Sequence, residues 1–276
     1  MESFQNIVVF DIETIPDTSL AGELCDIPKD KLTKMTQNEI RTEMENYHID
    51  NHNGNAFLRQ PFHRIACISF LIAKIDYNNN QEEYTFTQLD SYSSFSSSEE
   101  SVVRKFWHLL KEKKPRIVSF NGKTFDINVL KCKALKYNID CSWYFNYGGK
   151  FDGYEYPYAN SHFDLLYKYG SYTLHEMCIF LNIPCKLGVN GSCVAEYFDN
   201  QKYNEIREYC ETDVLATYLV YLKMALVQGM IDVKSYNKAV TDIEEHLIKL
   251  QNQKHGLKEF LEAWHELNPS GITIKT

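Results

Sequence analysis

The stretch "NIVVFDIETI", Asn6 to Ile15, constrains the fold of this chain more than any other. Ile7 to Phe10 is apolar without interruption, and a strand that lacks polar alternation must be covered on both faces. The run therefore predicts a buried central strand. Asp11 and Glu13 stand two apart at its end, so the alternation of side chains points both acids to the same side. Two close carboxylates repel each other and raise the cost of ionisation; a bound divalent cation turns that cost into attraction. A solvated strand end before Pro16 is the plain alternative.

The remaining pattern supplies the surroundings of that strand. Leu20 to Gln60 is polar and charged, with a helix predicted over Lys29 to Tyr47, and is read as an insertion over the first strand. Arg64 to Ile75, the turn Asn78 to Asn80 and Glu83 to Leu89 predict a hairpin. Ser97 with Glu100 three residues on predicts a helix start, with the helix reaching Lys113. Arg116 to Phe120 is a short buried strand and Asp126 to Tyr137 a helix; an aromatic loop follows. A short strand or helix start is expected at His162 to Leu166, and Thr173 with Glu176 caps a helix over "LHEMCIFL". A longer helix spans Lys202 to Val227, and two amphipathic segments, Ser235 to Gln251 and Leu257 to Leu267, close the chain. The order implies an α/β fold, one mixed β-sheet flanked by α-helices. We expect a single domain over residues 1–276, with a core at about 6–229, the insertion at about 20–60 and a C-terminal helical extension at about 235–276.

Composition bounds the partners. The net charge of −8 argues against a grip on nucleic acid by phosphate neutralisation alone, unless metal ions offset the carboxylates locally. No apolar run has transmembrane length, and "MESFQNIVVF" lacks the basic-then-apolar order of a signal peptide, so a cytoplasmic protein with no membrane partner is expected. Eight cysteines include no C-x-x-C pair and read as buried free thiols in a reducing compartment. The spacing of His175, Cys178, Cys185 and Cys193 matches no common zinc pattern.

Gly122-Lys123-Thr124 in "IVSFNGKTFDINVL" looks like the end of a phosphate-binding loop. That loop, G-x-x-x-x-G-K-[ST], would need glycine where Ile117 stands. Attention passes to Asp126, which follows the second apolar strand at the start of a helix. An acid there is also an ordinary helix-terminus residue. Tyr209 and Asp213 are four apart on a predicted helix and share a face beside the apolar stripe of Leu215, Leu219 and Leu222. Each site alone has a bland reading. Together they offer four acids and a phenol. Four oxygen ligands suit Mg²⁺ or Mn²⁺, and two such ions about 3.5–4 Å apart can activate water and stabilise a leaving oxygen in phosphodiester cleavage.

"FDIET", "NGKTFD" and "YCETD" resemble, in order, the three motifs of the DEDD 3′–5′ exonucleases. The Y-x-x-x-D form at Tyr209 and Asp213 resembles the tyrosine subclass, DEDDy. The N-x-x-x-F-D form, Asn121 to Asp126, is similar to that of the proofreading domain of family B DNA polymerases. The nearest likeness is to stand-alone predicted 3′–5′ exonucleases related to that domain, over about Asn6 to Gly229. The resemblance implies a ribonuclease H-like fold and two divalent metal ions, Mg²⁺ or Mn²⁺, on Asp11, Glu13, Asp126 and Asp213, with Tyr209 orienting water. It further implies substrate contacts at Thr14, Ile15, Asn121 and Phe125, and a supporting role for Asp164. The expected substrate is single-stranded nucleic acid, DNA ahead of RNA, with protein partners unassigned. Rival readings are an exoribonuclease of the same chemistry, a non-catalytic nucleic-acid-binding protein with this fold, and a nucleotide-binding regulator, which the missing glycine disfavours. The aromatic loop Trp143 to Tyr158 either folds its rings onto the domain or stacks bases. Lys123, Lys131, Lys133 and Lys136 either form a basic patch or a solvated face, and the roles of His63 and Arg64 are open.

Overall fold

The computed structural model describes residues 4–78, 81–170, 172–185 and 191–275. Five strands form one mixed sheet in the order β3-β2-β1-β4-β5. β1 is Asn6–Pro16, β2 His63–Asn78, β3 Gln81–Ser93, β4 Arg116–Ser119 and β5 His162–Asp164. The first three form an antiparallel meander, and β4 and β5 run parallel to β1. This is the ribonuclease H-like arrangement expected from the sequence. The hairpin is longer than its apolar residues indicated, and Asn79 and Asn80 of the expected turn lie outside the described residues, as does Ser171.

Three short or medium helices fill the insertion: α1 (Ala21–Leu24), α2 (Lys29–Leu32) and α3 (Gln37–Asn51). One helix was expected over Lys29 to Tyr47. Thr36 interrupts it, because Thr36 and Glu39 form a reciprocal capping box that starts α3 afresh. α4 (Glu99–Lys113) begins at Ser98, not at Ser97: the Ser98 hydroxyl accepts from Ser101 N, while Ser97 donates to the Ser93 carbonyl. α5 (Asp126–Lys136), α6 (Ser142–Asn146) and α7 (Leu165–Tyr169) follow the parallel strands. α8 (Leu174–Leu181) carries the expected Thr173–Glu176 box. α9 (Val194–Asp199), α10 (Tyr203–Val227), α11 (Val233–Leu250) and α12 (His255–Leu267) complete the chain. Among the described residues no helix is long and apolar enough to cross a membrane.

β1 is buried on both faces, and its parity sorts two cores. Ile7 and Val9 pack with Val118, Phe163 and the inner faces of α10, α11 and α12. Val8, Phe10 and Ile12 pack with Ile117, α4 and α5. Odd-numbered residues of β1 thus face α10. Asp11 and Glu13 are odd-numbered, and α10 carries Tyr209 and Asp213. The C-terminal helices are part of the first core: Val240, Ile243, Leu247, Leu257 and Phe260 are fully buried there.

Candidate active site

Parallel pairing of β1 with β4 stops at Val9 opposite Val118, yet β1 continues to Pro16. Asp11 and Glu13 therefore lie within β1 but beyond the C-terminal edge of β4, where crevices form in parallel sheets. Between Glu13 and Thr14 the pairing shifts, leaving Ala66 of β2 as the extra residue. Its carbonyl accepts instead from the Ser94 amide at 2.9 Å.

Asp126 reaches the same place from the other side. Its Oδ1 accepts from the amide of Ile12, between the two acids, at 3.2 Å. The carboxylate also accepts from its own backbone amide at the first turn of α5, so Asp126 serves the helix start and reaches the neighbouring strand at once. The turn that presents it is braced from below by Asp164, fully buried, which accepts from the amides of Asn121 (3.0 Å), Lys123 (2.8 Å) and Leu166 (3.1 Å). Asn121 adopts φ +61°, and Gly122 passes so close over the Ser119 hydroxyl that a Cβ would collide with it. Lys123 donates to the carbonyls of Tyr154 and Tyr156 at 3.1 and 2.5 Å, and burial pulls its pKa down to about 8. The lysine of the phosphate-loop look-alike thus clamps the aromatic loop.

α10 completes the cluster. Tyr209 is buried and its hydroxyl donates to Asp213, one turn on. Cys210, between them, donates its thiol to the Asp11 carbonyl at 3.5 Å and to Asp11 Oδ2 at 3.6 Å. Cys185 Sγ approaches Asp213 Oδ1 at 4.0 Å. Potential ligand atoms of Asp11, Glu13 and Cys210 all lie within 4.8 Å of one another, the one such group found among the described residues. His175, Cys178, Cys185 and Cys193 form no such group, and none of the eight cysteines is in a disulfide.

The charges are costly as they stand. Burial, then the charges of Asp126, Glu13 and Asp213, push the Asp11 carboxyl far above its usual range. Glu13 is raised by burial, Asp213, the Cys67 thiol and Asp126. Burial pushes Asp126 up to about 7, against the amide bonds that favour its anion. The Tyr209 phenol is raised by burial and by the charges of Asp213, Glu13 and Asp11. No basic side chain among the described residues offsets Asp11, Glu13 or Asp126. Asp11 and Glu13, with ligand atoms within 4.8 Å of each other and the charge of Asp126 beside them, are oxygen donors of the kind that hard divalent cations take.

A cleft of about 1070 Å³ opens beside the acids, lined by Ile12, Glu13, Thr14, Phe125, the insertion and the start of α9. Thr14 Oγ1 lies 2.9 Å from His63 Nδ1, and His63 Nε2 lies 2.8 Å from the Leu58 carbonyl. A carbonyl can only accept, so Nε2 carries the proton and Nδ1 accepts from the threonine. Phe125 packs its ring on His63. Ile15, expected at the substrate, is instead buried against Cys67, Val194, Ile206 and Cys210 and does not line the cleft. The Asn121 side chain does not line it either. Of the two alternatives for the lysines the basic patch is disfavoured: Lys131 pairs with Glu155, Lys136 with Asp17, and Lys133 is buried between Asp17 and Glu99. Tyr144 and Tyr154 of the aromatic loop are buried in the second core, while Phe145, Phe151 and Tyr158 stay exposed, so the loop folds part of its rings onto the domain.

Residues 55–264 match the model of the family described as "Predicted 3'-5' exonuclease related to the exonuclease domain of PolB". The chain belongs to this family. The match includes Asp126, Tyr209 and Asp213; Asp11 and Glu13 precede it. Among solved structures the chain is similar to the family B DNA polymerase of the hyperthermophilic archaeon Pyrobaculum calidifontis, at 14% identity and a TM-score of 0.46. The similarity covers 92% of this chain and 30% of the polymerase. The comparison with curated proteins gave no match. Sequence reasoning passed over Cys210 and Phe57. Cys210 lies within the "YCETD" motif, where its position between Tyr209 and Asp213 was the available signal.

Proposed function

We propose that this chain is a metal-dependent 3′–5′ exonuclease that removes nucleoside monophosphates from the ends of single-stranded DNA. The observation that carries the reading is the convergence of Asp11, Glu13, Asp126 and Asp213, from three separate elements, on one crevice, where no basic side chain among the described residues offsets the first three. Two Mg²⁺ or Mn²⁺ ions held by these carboxylates would supply a water acidic enough to attack phosphorus and charge to stabilise the departing oxygen. The chain's own part is positional. Tyr209, buried and tied to Asp213, holds the attacking water in line; Asp164 keeps the Asn121–Lys123 turn rigid, so that Asp126 stays at the amide of Ile12. The cleft receives the 3′ end. Attack breaks the bond between phosphorus and the 3′ oxygen of the preceding nucleotide and releases a 5′-monophosphate. In this reading residues 1–276 act as one exonuclease domain in the cytoplasm, and the eight cysteines, none in a disulfide, fit a reducing compartment.

The test uses 5′-labelled and 3′-labelled single-stranded DNA and RNA with Mg²⁺, Mn²⁺ or EDTA, on the parent and on Asp213→Asn. A ladder that shortens the 5′-labelled DNA by single nucleotides is expected, abolished by EDTA. Asp213→Asn should slow it by at least about 100-fold, with the melting temperature held or raised, as expected when a ligand for stabilising charge is removed. Binding without cleavage under every metal would replace the proposal with the non-catalytic reading. Faster shortening of RNA would move the substrate to RNA.

A further inference from the structure

The insertion over the first strand has carried no chemistry so far, yet it places an aromatic ring at the mouth of the acidic crevice. Phe57 is 60% exposed and lines the cleft with Glu13 and Thr14. It is not a loose loop residue. Its amide donates to Asn55 Oδ1 at 2.9 Å, and the next side chain, Leu58, is buried against Ala21, Ile40 and Met44. The Leu58 carbonyl receives the His63 proton. The ring lies 5.1 Å from the His63 ring and 5.4 Å from that of Phe125, and those two lie 4.9 Å apart, edge to face. Two of the three rings are tied to the acids: His63 to Thr14, next to Glu13, and Phe125 to Asp126 by the chain.

We propose that Phe57, backed by His63 and Phe125, is the stacking surface for the base of the 3′-terminal nucleotide. The inference rests on the exonuclease reading and adds to it a residue from the insertion that sets how the end is held. Charge makes the same point. Among the described residues that line the cleft, Arg41 is the one arginine or lysine, and Asp199 binds it with two bonds of 2.5 and 2.7 Å. Burial lowers the pKa of His63 and so disfavours its cationic form. Beyond the metal ions of the exonuclease reading, the three clustered rings offer a strand end a grip through its base, because every base has a π-face. Phe151 and Tyr158, equally exposed, line a different cavity with Arg116 and Ser161, at the starts of β4 and β5 and away from the acids.

The test compares single-stranded DNA ending in an ordinary nucleotide with the same strand ending in an abasic sugar. Stacking contributes about 1–3 kcal/mol per base, so the parent should favour the base-bearing end by roughly 5- to 150-fold in kcat/KM. Phe57→Ala should bring that ratio close to one; Phe57→Trp should keep it. The same comparison by fluorescence anisotropy on Asp213→Asn in Mg²⁺ reads the effect without turnover. A ratio left unchanged by Phe57→Ala overturns the inference while the exonuclease stands. Absence of cleavage in the parent overturns the exonuclease reading, and anisotropy then still decides whether Phe57 holds the base.

Discussion

The Asp126 carboxyl, buried beside the amide of Ile12, is pushed up to about 7, far above a solvated aspartate. The sign of its effect on metal-free stability follows directly. Below about pH 4 both the folded and unfolded carboxyls hold a proton, and burial adds no ionisation cost. As pH rises from about 4 to about 7 the unfolded chain ionises first, so the folded state loses ground; above about 7 the loss is constant. Asp126→Asn keeps the oxygen that accepts from Ile12 and has no charge to lose. In EDTA the variant should match the parent near pH 4 and exceed it increasingly up to about pH 7, by about 1–4 kcal/mol at the plateau. Urea denaturation at several pH values measures this. A difference that stays flat with pH would mean that the carboxyl is not held in the protonated form by its surroundings. Added Mn²⁺ should reverse the order, because the parent keeps the full set of acids.

At the scale of elements, α12 governs how α10 presents Tyr209 and Asp213. The buried Glu211 carboxylate accepts from Lys254 Nζ through both oxygens at 2.7 Å, and from the Ser91 hydroxyl at 2.9 Å. Glu208 accepts from the Gly256 amide at 2.6 Å, where a Cβ on residue 256 would press on the Glu208 side chain. The two glutamates flank Tyr209. Lys254→Met should cost about 3–5 kcal/mol, as expected when one partner of a buried ion pair is removed, and adding Glu211→Gln should recover much of it. Thermal unfolding of the parent and the two variants decides; equal stability of Lys254→Met and the parent would mean that the pair adds nothing to the fold. The contrast in legibility has a physical basis. Asp11 with Glu13, and Tyr209 with Asp213, could be paired because strand and helix periodicity puts each couple on one side within a few residues. The central strand, the mixed sheet and the position of α10 followed from apolar runs in the same way. Lys254 and Phe57 could not be placed: the lysine meets Glu211 across 43 residues, and Phe57 gains its meaning only from ring contacts to Phe125. The burial of Ile15 could not be read either, because strand alternation says which side a residue takes, not that α9 and α10 cover that side.

For the whole molecule, the net charge of −8 and the arrangement of its cations set how binding should respond to salt. Two divalent ions in the crevice would halve that charge and place positive potential at the acids, while leaving the rest of the surface acidic. The lysines nearest the motif turn are engaged: Lys123 by carbonyls, Lys131 by Glu155, and Lys133 and Lys136 by Asp17. Arg41 in the cleft is held by Asp199. Few counterions should therefore leave a bound strand. Each phosphate neutralised by a side chain steepens the plot of log K against log salt by about 0.7 for single strands, so a slope of about −1 or shallower is expected. Anisotropy with Asp213→Asn at fixed free Mg²⁺, with KCl raised from about 50 to about 200 mM, gives the slope; at about −1 the affinity falls only about fourfold across that range. A protein that holds its substrate by aromatic stacking and metal ions must behave in this way, because neither contact releases many monovalent ions. A slope of about −4 or steeper would require several free cations along the path of the strand. That would relocate the binding surface away from the cleft, and the role of Phe57 would fall with it.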